Sequence, residues 1–186
     1  MRWRRAWRKG VGLMKAMVMY KSKYGAARRY AQLLAAELGC EAQAVDAHAE
    51  LAGDCDCAVF VGGVYAGSVA GLKAFGRACR GRSDLRQAVL CVGASPYDEA
   101  ELEQLSARVR RAGLTGAAVF YARGAWDESS MTLRDRALCG LLRRATAKRT
   151  GEDCKPWMRA LLDSAGQRFD WVDPRYISPL LGFLRG

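Results

Sequence analysis

The sequence predicts an α/β fold: a doubly wound, five-stranded parallel sheet in the order 2-1-3-4-5, with a helical insertion after the fifth strand. Three observations predict it. Short apolar runs alternate with stretches of helical apolar spacing along the chain, and such alternation demands crossover connections and a mostly parallel sheet. Two of the runs, Cys57 to Gly62 and Ala88 to Val92, are continuously apolar, as strands covered by helices on both faces must be. The length of 186 residues, with 51% hydrophobic and 26% charged side chains, suits one domain with its own core and excludes a disordered or collagen-like chain.

The elements follow in order. Ala16 to Tyr20 is a strand, Lys21 to Gly25 breaks it, and Ala27, Tyr30, Ala31, Leu34 and Leu38 recur at helical spacing. Glu41 to Val45 is a weak second strand and Cys57 to Gly62 the third. After a glycine-rich turn, Val69, Leu72, Phe75, Gly76 and Cys79 mark a short helix. Ala88 to Val92 is the fourth strand, and Leu102, Leu105, Val109 and Ala112 mark a helix whose start carries Asp98, Glu99 and Glu101, where the helix dipole favours negative charge. Gly116 to Tyr121 is the fifth strand and Pro156 to Ala165 the closing helix. Between them, residues 124–153 exceed what a simple connection needs. Leu138, Leu141, Leu142 and Ala145 form an apolar helical face there, interrupted by Arg134. Tyr30 and Phe75 fall on apolar helix faces and belong to the core.

The expected organisation is a basic extension over residues 1–13, a doubly wound domain over 14–165 and an apolar tail over 166–186. The extension lacks the apolar stretch of a secretory signal, so it reads as an upstream extension or misplaced start in preference to a membrane or nucleic-acid arm. The tail (Phe169, Trp171, Tyr176, Ile177, Leu180, Leu181, Phe183) is expected to pack along the domain or form a homodimer contact, with a peripheral membrane contact as the sharper alternative. No apolar run approaches the roughly 20 residues that cross a bilayer.

Thirty Lys plus Arg against 19 Asp plus Glu give a formal charge of +11. That charge is local: +5 over residues 1–13 and +4 over 123–149, with the rest near balance. Two separate basic segments and no reading motif argue against a nucleic-acid partner. Seven cysteines without framework spacing read as reduced thiols of a cytoplasmic protein. Cys57 and Cys91 are small hydrophobes, and the Cys55/Cys57 pair is a weak metal signal. The single histidine, His48, reads as a solvated loop residue.

In an open α/β sheet the ligand crevice lies beyond the carboxyl ends of the strands, where strand order reverses. Three loops end there. The first carries Ser22, Lys23, Tyr24, Gly25, Ala26 and Ala27 straight into a helix, so backbone N–H groups and a hydroxyl surround a phosphate at a positive helix terminus. The second carries Gly63, Val64, Tyr65, Ala66 and Gly67. The third carries Ala94, Ser95, Pro96, Tyr97 and Asp98. A phosphate cradle facing two loops with one tyrosine each fits a phosphorylated flat aromatic cofactor, and FMN answers that description. No acid–base constellation accompanies it, as expected where the cofactor carries the redox chemistry.

These loops sit in YKSKYGAARRYA (20–31), VFVGGVYAGSVAGLKAF (59–75), LCVGASP (90–96) and VFYARGAW (119–126). The ordered set resembles the flavodoxin-domain family, particularly the branch of the flavodoxin-type protoporphyrinogen oxidase, over about residues 14–165. The resemblance implies a flavodoxin-like fold, FMN phosphate in the first loop, and the second and third loops flanking the ring. It also implies a redox partner or a substrate such as a porphyrinogen or quinone, and a place in the cytoplasm, peripheral to the inner membrane face. The family loop Ser/Thr-x-Thr-Gly-x-Thr is matched at Ser22, Tyr24, Gly25 and Ala27, so two threonine hydroxyls are replaced, each worth about 1 kcal/mol, roughly fivefold in affinity. The alternative function is a flavin-free binding or regulatory domain that keeps the scaffold.

Overall fold

The computed structural model describes residues 8–9, 12–82, 84–147 and 155–186. Five parallel strands form the sheet: β1 (Ala16–Lys21), β2 (Ala42–Ala44), β3 (Cys57–Tyr65), β4 (Arg86–Gly93) and β5 (Ala118–Arg123). They lie in the order β2-β1-β3-β4-β5, the order expected. Val18 faces Val59 across β1 and β3, Val59 faces Ala88, and Leu90 faces Phe120.

Helices cover both faces because the central strands are apolar on both. On one face α1 (Ala26–Leu38) packs Tyr30, Ala31 and Leu34 onto Val18, Val59 and Leu90. On the other, α2 (Leu72–Ala78) and α3 (Glu99–Arg111) pack Phe75, Leu105 and Val109 onto Phe60 and Val89. Phe60 and Phe75 stack with centroids 5.0 Å apart. Tyr30 is fully buried, and its hydroxyl donates to the Arg123 carbonyl at 2.7 Å and accepts the Asp173 N–H at 3.1 Å. Burial pushes that phenol up to about 12.

Three expectations need correction. The third strand does not end at Gly62. It continues to Tyr65, and Val64 and Tyr65 pair back onto Val69 and Ser68. The turn is Ala66–Gly67, with φ of 47° and 72°, the doubly positive geometry that matches strand twist in two-residue hairpins. Val69 is therefore in a strand arm and α2 starts at Leu72. The fifth strand is displaced towards its carboxyl end, to Arg123.

The third correction concerns the closing helix. After β5 the chain forms β6 (Ala125–Asp127), a short 3-10 turn and α4 (Leu133–Thr146), then α5 (Pro156–Asp163) and β7 (Arg168–Asp170). Strands β6 and β7 pair antiparallel, Trp126 opposite Phe169, so the insertion is a looped-out unit closed at its base and includes α5. The helix that covers the sheet beside α1 is α6 (Ser178–Arg185): Ile177, Leu180, Leu181 and Leu184 are buried in the same core cluster as Val18 and Leu90. Ile177, Leu180, Leu181 and Leu184 are core-forming, because the face of the sheet beside α1 needs a second helix to exclude water.

Cys55, Cys57, Cys79 and Cys91 are buried and unbridged, and burial pushes the Cys57 thiol up to about 11 and those of Cys79 and Cys91 up to about 12. Such thiols stay protonated and serve as small hydrophobes. Among the described residues there is no cluster that could hold a metal ion, and no helix is long and apolar enough to cross a membrane. His48 is exposed in a turn.

Candidate functional site

The carboxyl ends of β1, β3 and β4 bring the three predicted loops to one edge of the sheet. Gly25 caps α1 with φ 94°, a left-handed conformation that favours glycine. A Cβ built there meets no atom within 4 Å, so the space beside Gly25 is open. The first N–H groups of a helix have no intrahelical partner, which leaves those of Ala26 and Ala27 directed out of the helix start. The side chains of these alanines play another part. Ala27 is buried in the core under β1, and Ala26 lies 3.1 Å from where a Cβ on Gly124 would stand.

The rest of the first loop is engaged within the protein. Ser22 Oγ accepts the Gly25 N–H at 3.0 Å. The Lys23 N–H donates to the Tyr65 hydroxyl at 2.9 Å, and the Tyr24 and Tyr65 rings meet edge to face with centroids 6.0 Å apart. Lys23 Nζ and the Tyr24 hydroxyl both donate to Oδ2 of Asp135 on α4, and the Tyr24 hydroxyl accepts the Thr132 N–H at 3.4 Å. The hydrogen bond to Asp135 raises the Lys23 pKa, and that same bond lowers the Asp135 pKa.

In the second loop, Gly63 is buried beneath the Tyr65 ring: a Cβ on it would stand 2.6 Å from the Tyr65 hydroxyl. The glycine makes room for that ring. Val64 packs against the core cluster of α2 and α3, while Ala66 and Gly67 are exposed at the turn. Ala66 is the one non-glycine with positive φ among the described residues, a conformation that costs an alanine roughly 1–2 kcal/mol.

The third loop is held from β5. The Tyr121 hydroxyl donates to the Ser95 carbonyl at 2.8 Å and Arg123 Nε donates to the Ala94 carbonyl at 3.0 Å. Tyr97 is 61% exposed, edge to face with Tyr121, so it is the ring free to cover a ligand. Asp98 caps α3, accepting the Glu101 N–H at 2.8 Å. Beside this loop a cleft of about 460 Å³ is lined by Pro96, Arg123, Arg159, Asp163, Phe169 and Trp171 among others. Arg123 lies 3.6 Å from the centroid of the Trp171 ring, and Phe169 stacks on Trp171 at 4.9 Å.

Thus the first and second loops touch, the third is anchored to β5, and the insertion reaches the edge through Asp135 and Trp171. Asp135, Arg123 and Glu101 escaped the sequence reading as site residues. Oε2 of Glu101 is buried without a hydrogen-bond partner, and its carboxyl pKa is raised by burial and by Asp98.

The sequence matches the flavodoxin domain over residues 17–153. The chain belongs to the flavodoxin-domain family. That match is to the flavodoxin domain at large and does not single out the protoporphyrinogen oxidase branch. No curated protein matches the chain. It is similar to the solved flavodoxin, WrbA-like protein of Agrobacterium tumefaciens, with 19% identity and TM-score 0.45 over 66% of this chain and 88% of that one. It is also similar to the Trp repressor binding protein of Bacillus subtilis, with 12% identity and TM-score 0.41 over 59% and 83%. A variant flavodoxin of Pseudomonas aeruginosa shows 21% identity and TM-score 0.39 over 69% and 93%.

Proposed function

We propose that this flavodoxin-type protein binds FMN at the carboxyl edge of β1, β3 and β4 and works as a redox protein. The observation that carries the reading is the start of α1: Gly25 in a left-handed conformation with open space at its Cβ position, and the N–H groups of Ala26 and Ala27 at a positive helix terminus. FMN, when bound, supplies the electron-transfer chemistry itself. The chain's residues then bind and orient. Backbone N–H groups take the phosphate, Tyr97 offers a stacking face, and the Tyr65 hydroxyl holds the second loop against the first. Glu101, a partly buried carboxyl behind the third loop, is the group able to hold or release a proton near that end.

A porphyrinogen or a quinone is the substrate class to screen first. The cleft beside the third loop supports it, with Arg123 and Arg159 next to the Phe169–Trp171 stack, chemistry that suits a flat ring bearing carboxylates or carbonyl oxygens.

One observation favours the second reading, a flavin-free regulatory domain: the Lys23 N–H, the Lys23 ammonium and the Tyr24 hydroxyl are already paired within the protein. Incubation with excess FMN, followed by desalting and an absorbance spectrum, separates the two. Retained flavin absorbance at a stoichiometry near one supports the FMN reading, and a colourless protein supports the other.

A further inference from the structure

We propose that Asp135 is a tethered anion that competes with the cofactor phosphate for the side chains of the first loop, and so sets how strongly this site distinguishes FMN from riboflavin. The inference rests on the FMN reading above. Asp135 lies in the first turn of α4 but does not cap it: Thr132 Oγ1 does, accepting the Asp135 N–H at 3.3 Å. Its carboxylate instead reaches across to the loop after β1 and accepts from Lys23 Nζ and the Tyr24 hydroxyl.

Those two groups are the loop's cation and a hydroxyl at a position where the family carries a threonine. A carboxylate and a phosphate make the same demand of such donors, so one position cannot serve both. A phosphate held at the start of α1, adjoining Lys23 and Tyr24 in the chain, also feels the negative charge of Asp135. The exchange is feasible because the pair is open to water: the Lys23 side chain is 45% exposed and that of Asp135 29%. Exposed ion pairs add little to stability, so the contact is readily broken, and its main effect is on what else binds there.

The test measures FMN and riboflavin dissociation constants by flavin fluorescence for the wild type, Asp135→Asn and Asp135→Ser, with circular dichroism confirming that each is folded. Removing the competing charge should tighten FMN by about tenfold, the scale of one charge-assisted hydrogen bond. Riboflavin, which lacks the phosphate, should bind all three proteins alike. A ratio of the two constants that stays unchanged in both variants overturns the inference while leaving the FMN reading standing. A fall in the riboflavin-to-FMN ratio of dissociation constants also overturns it, and shows that Asp135 positions Lys23 for the phosphate. Failure of both flavins with all three proteins overturns the FMN reading and this inference with it. Should Asp135→Asn not fold, Asp135→Ser decides alone.

Discussion

The Tyr65 hydroxyl accepts the Lys23 N–H at 2.9 Å, so the turn after β3 is pinned to the loop after β1. The contact spans 42 residues of sequence and fixes two of the three site loops relative to each other. It also places the Tyr65 ring over Gly63, where a side chain on the glycine would collide with it.

Gly25→Val tests the start of α1. No neighbouring atom lies within 4 Å of an added Cβ, and the main effect comes from the backbone, where φ 94° is strained for any β-branched residue. We expect about 2 kcal/mol of lost stability, read by chemical denaturation, and loss of flavin retention as the loop relaxes. Unchanged FMN affinity in a folded variant would count against the proposed site.

Leu180→Ala tests the place of α6 in the core. Leu180 is fully buried in the core cluster on the α1 face of the sheet, where α6 packs on β4 and β5, and truncation should cost about 2–5 kcal/mol, seen as a lower denaturation midpoint. A change under about 0.5 kcal/mol, typical of surface positions, would mean that the C-terminal helix is dispensable.

Removal of residues 1–13 should leave the thermal midpoint and flavin binding unaltered. The described strands there, Arg8–Lys9 and Gly12–Leu13, pair with each other, and the core clusters begin at Met14. A truncated protein that precipitates or melts early would give the extension a structural role.

Glu101→Gln tests the partly buried carboxyl. Its folded pKa is raised, so ionisation disfavours the folded state and the penalty develops as pH rises from the ordinary value of 4.5 through the raised one. The Gln variant should therefore melt higher than the wild type at pH 7, and the gap should close as pH falls below 4.5. A gap independent of pH would show that the carboxyl is not desolvated in the folded protein.

The fold was legible in the sequence because its central strands are unbroken apolar runs, and the periodicity at Tyr30 and Phe75 marked the faces that cover them. Local chemistry misled where a residue has two physical uses. Gly63 read as part of a turn, but it lies within β3, where the Tyr65 ring approaches too closely for any side chain. Asp98, read at the start of a helix, is the cap of α3, with Glu101 three residues on completing that pattern. The closing helix was assigned to Pro156–Ala165 because its apolar spacing is clear, while the antiparallel pairing of Ala125–Asp127 with Arg168–Asp170 that loops it out is a long-range event. Asp135 was beyond reach for the same reason: it meets Lys23 and Tyr24 across more than a hundred residues, with no local pattern to announce it.

The measurement that bears most directly on the central claim is a titration of the purified wild-type protein with FMN, with riboflavin as the control lacking phosphate, followed by flavin or tryptophan fluorescence. The account predicts saturable FMN binding and weaker riboflavin binding, because the N–H groups at the start of α1 have nothing to hold when the phosphate is absent. Binding of neither flavin would contradict it and leave a flavodoxin scaffold serving protein or membrane partners instead.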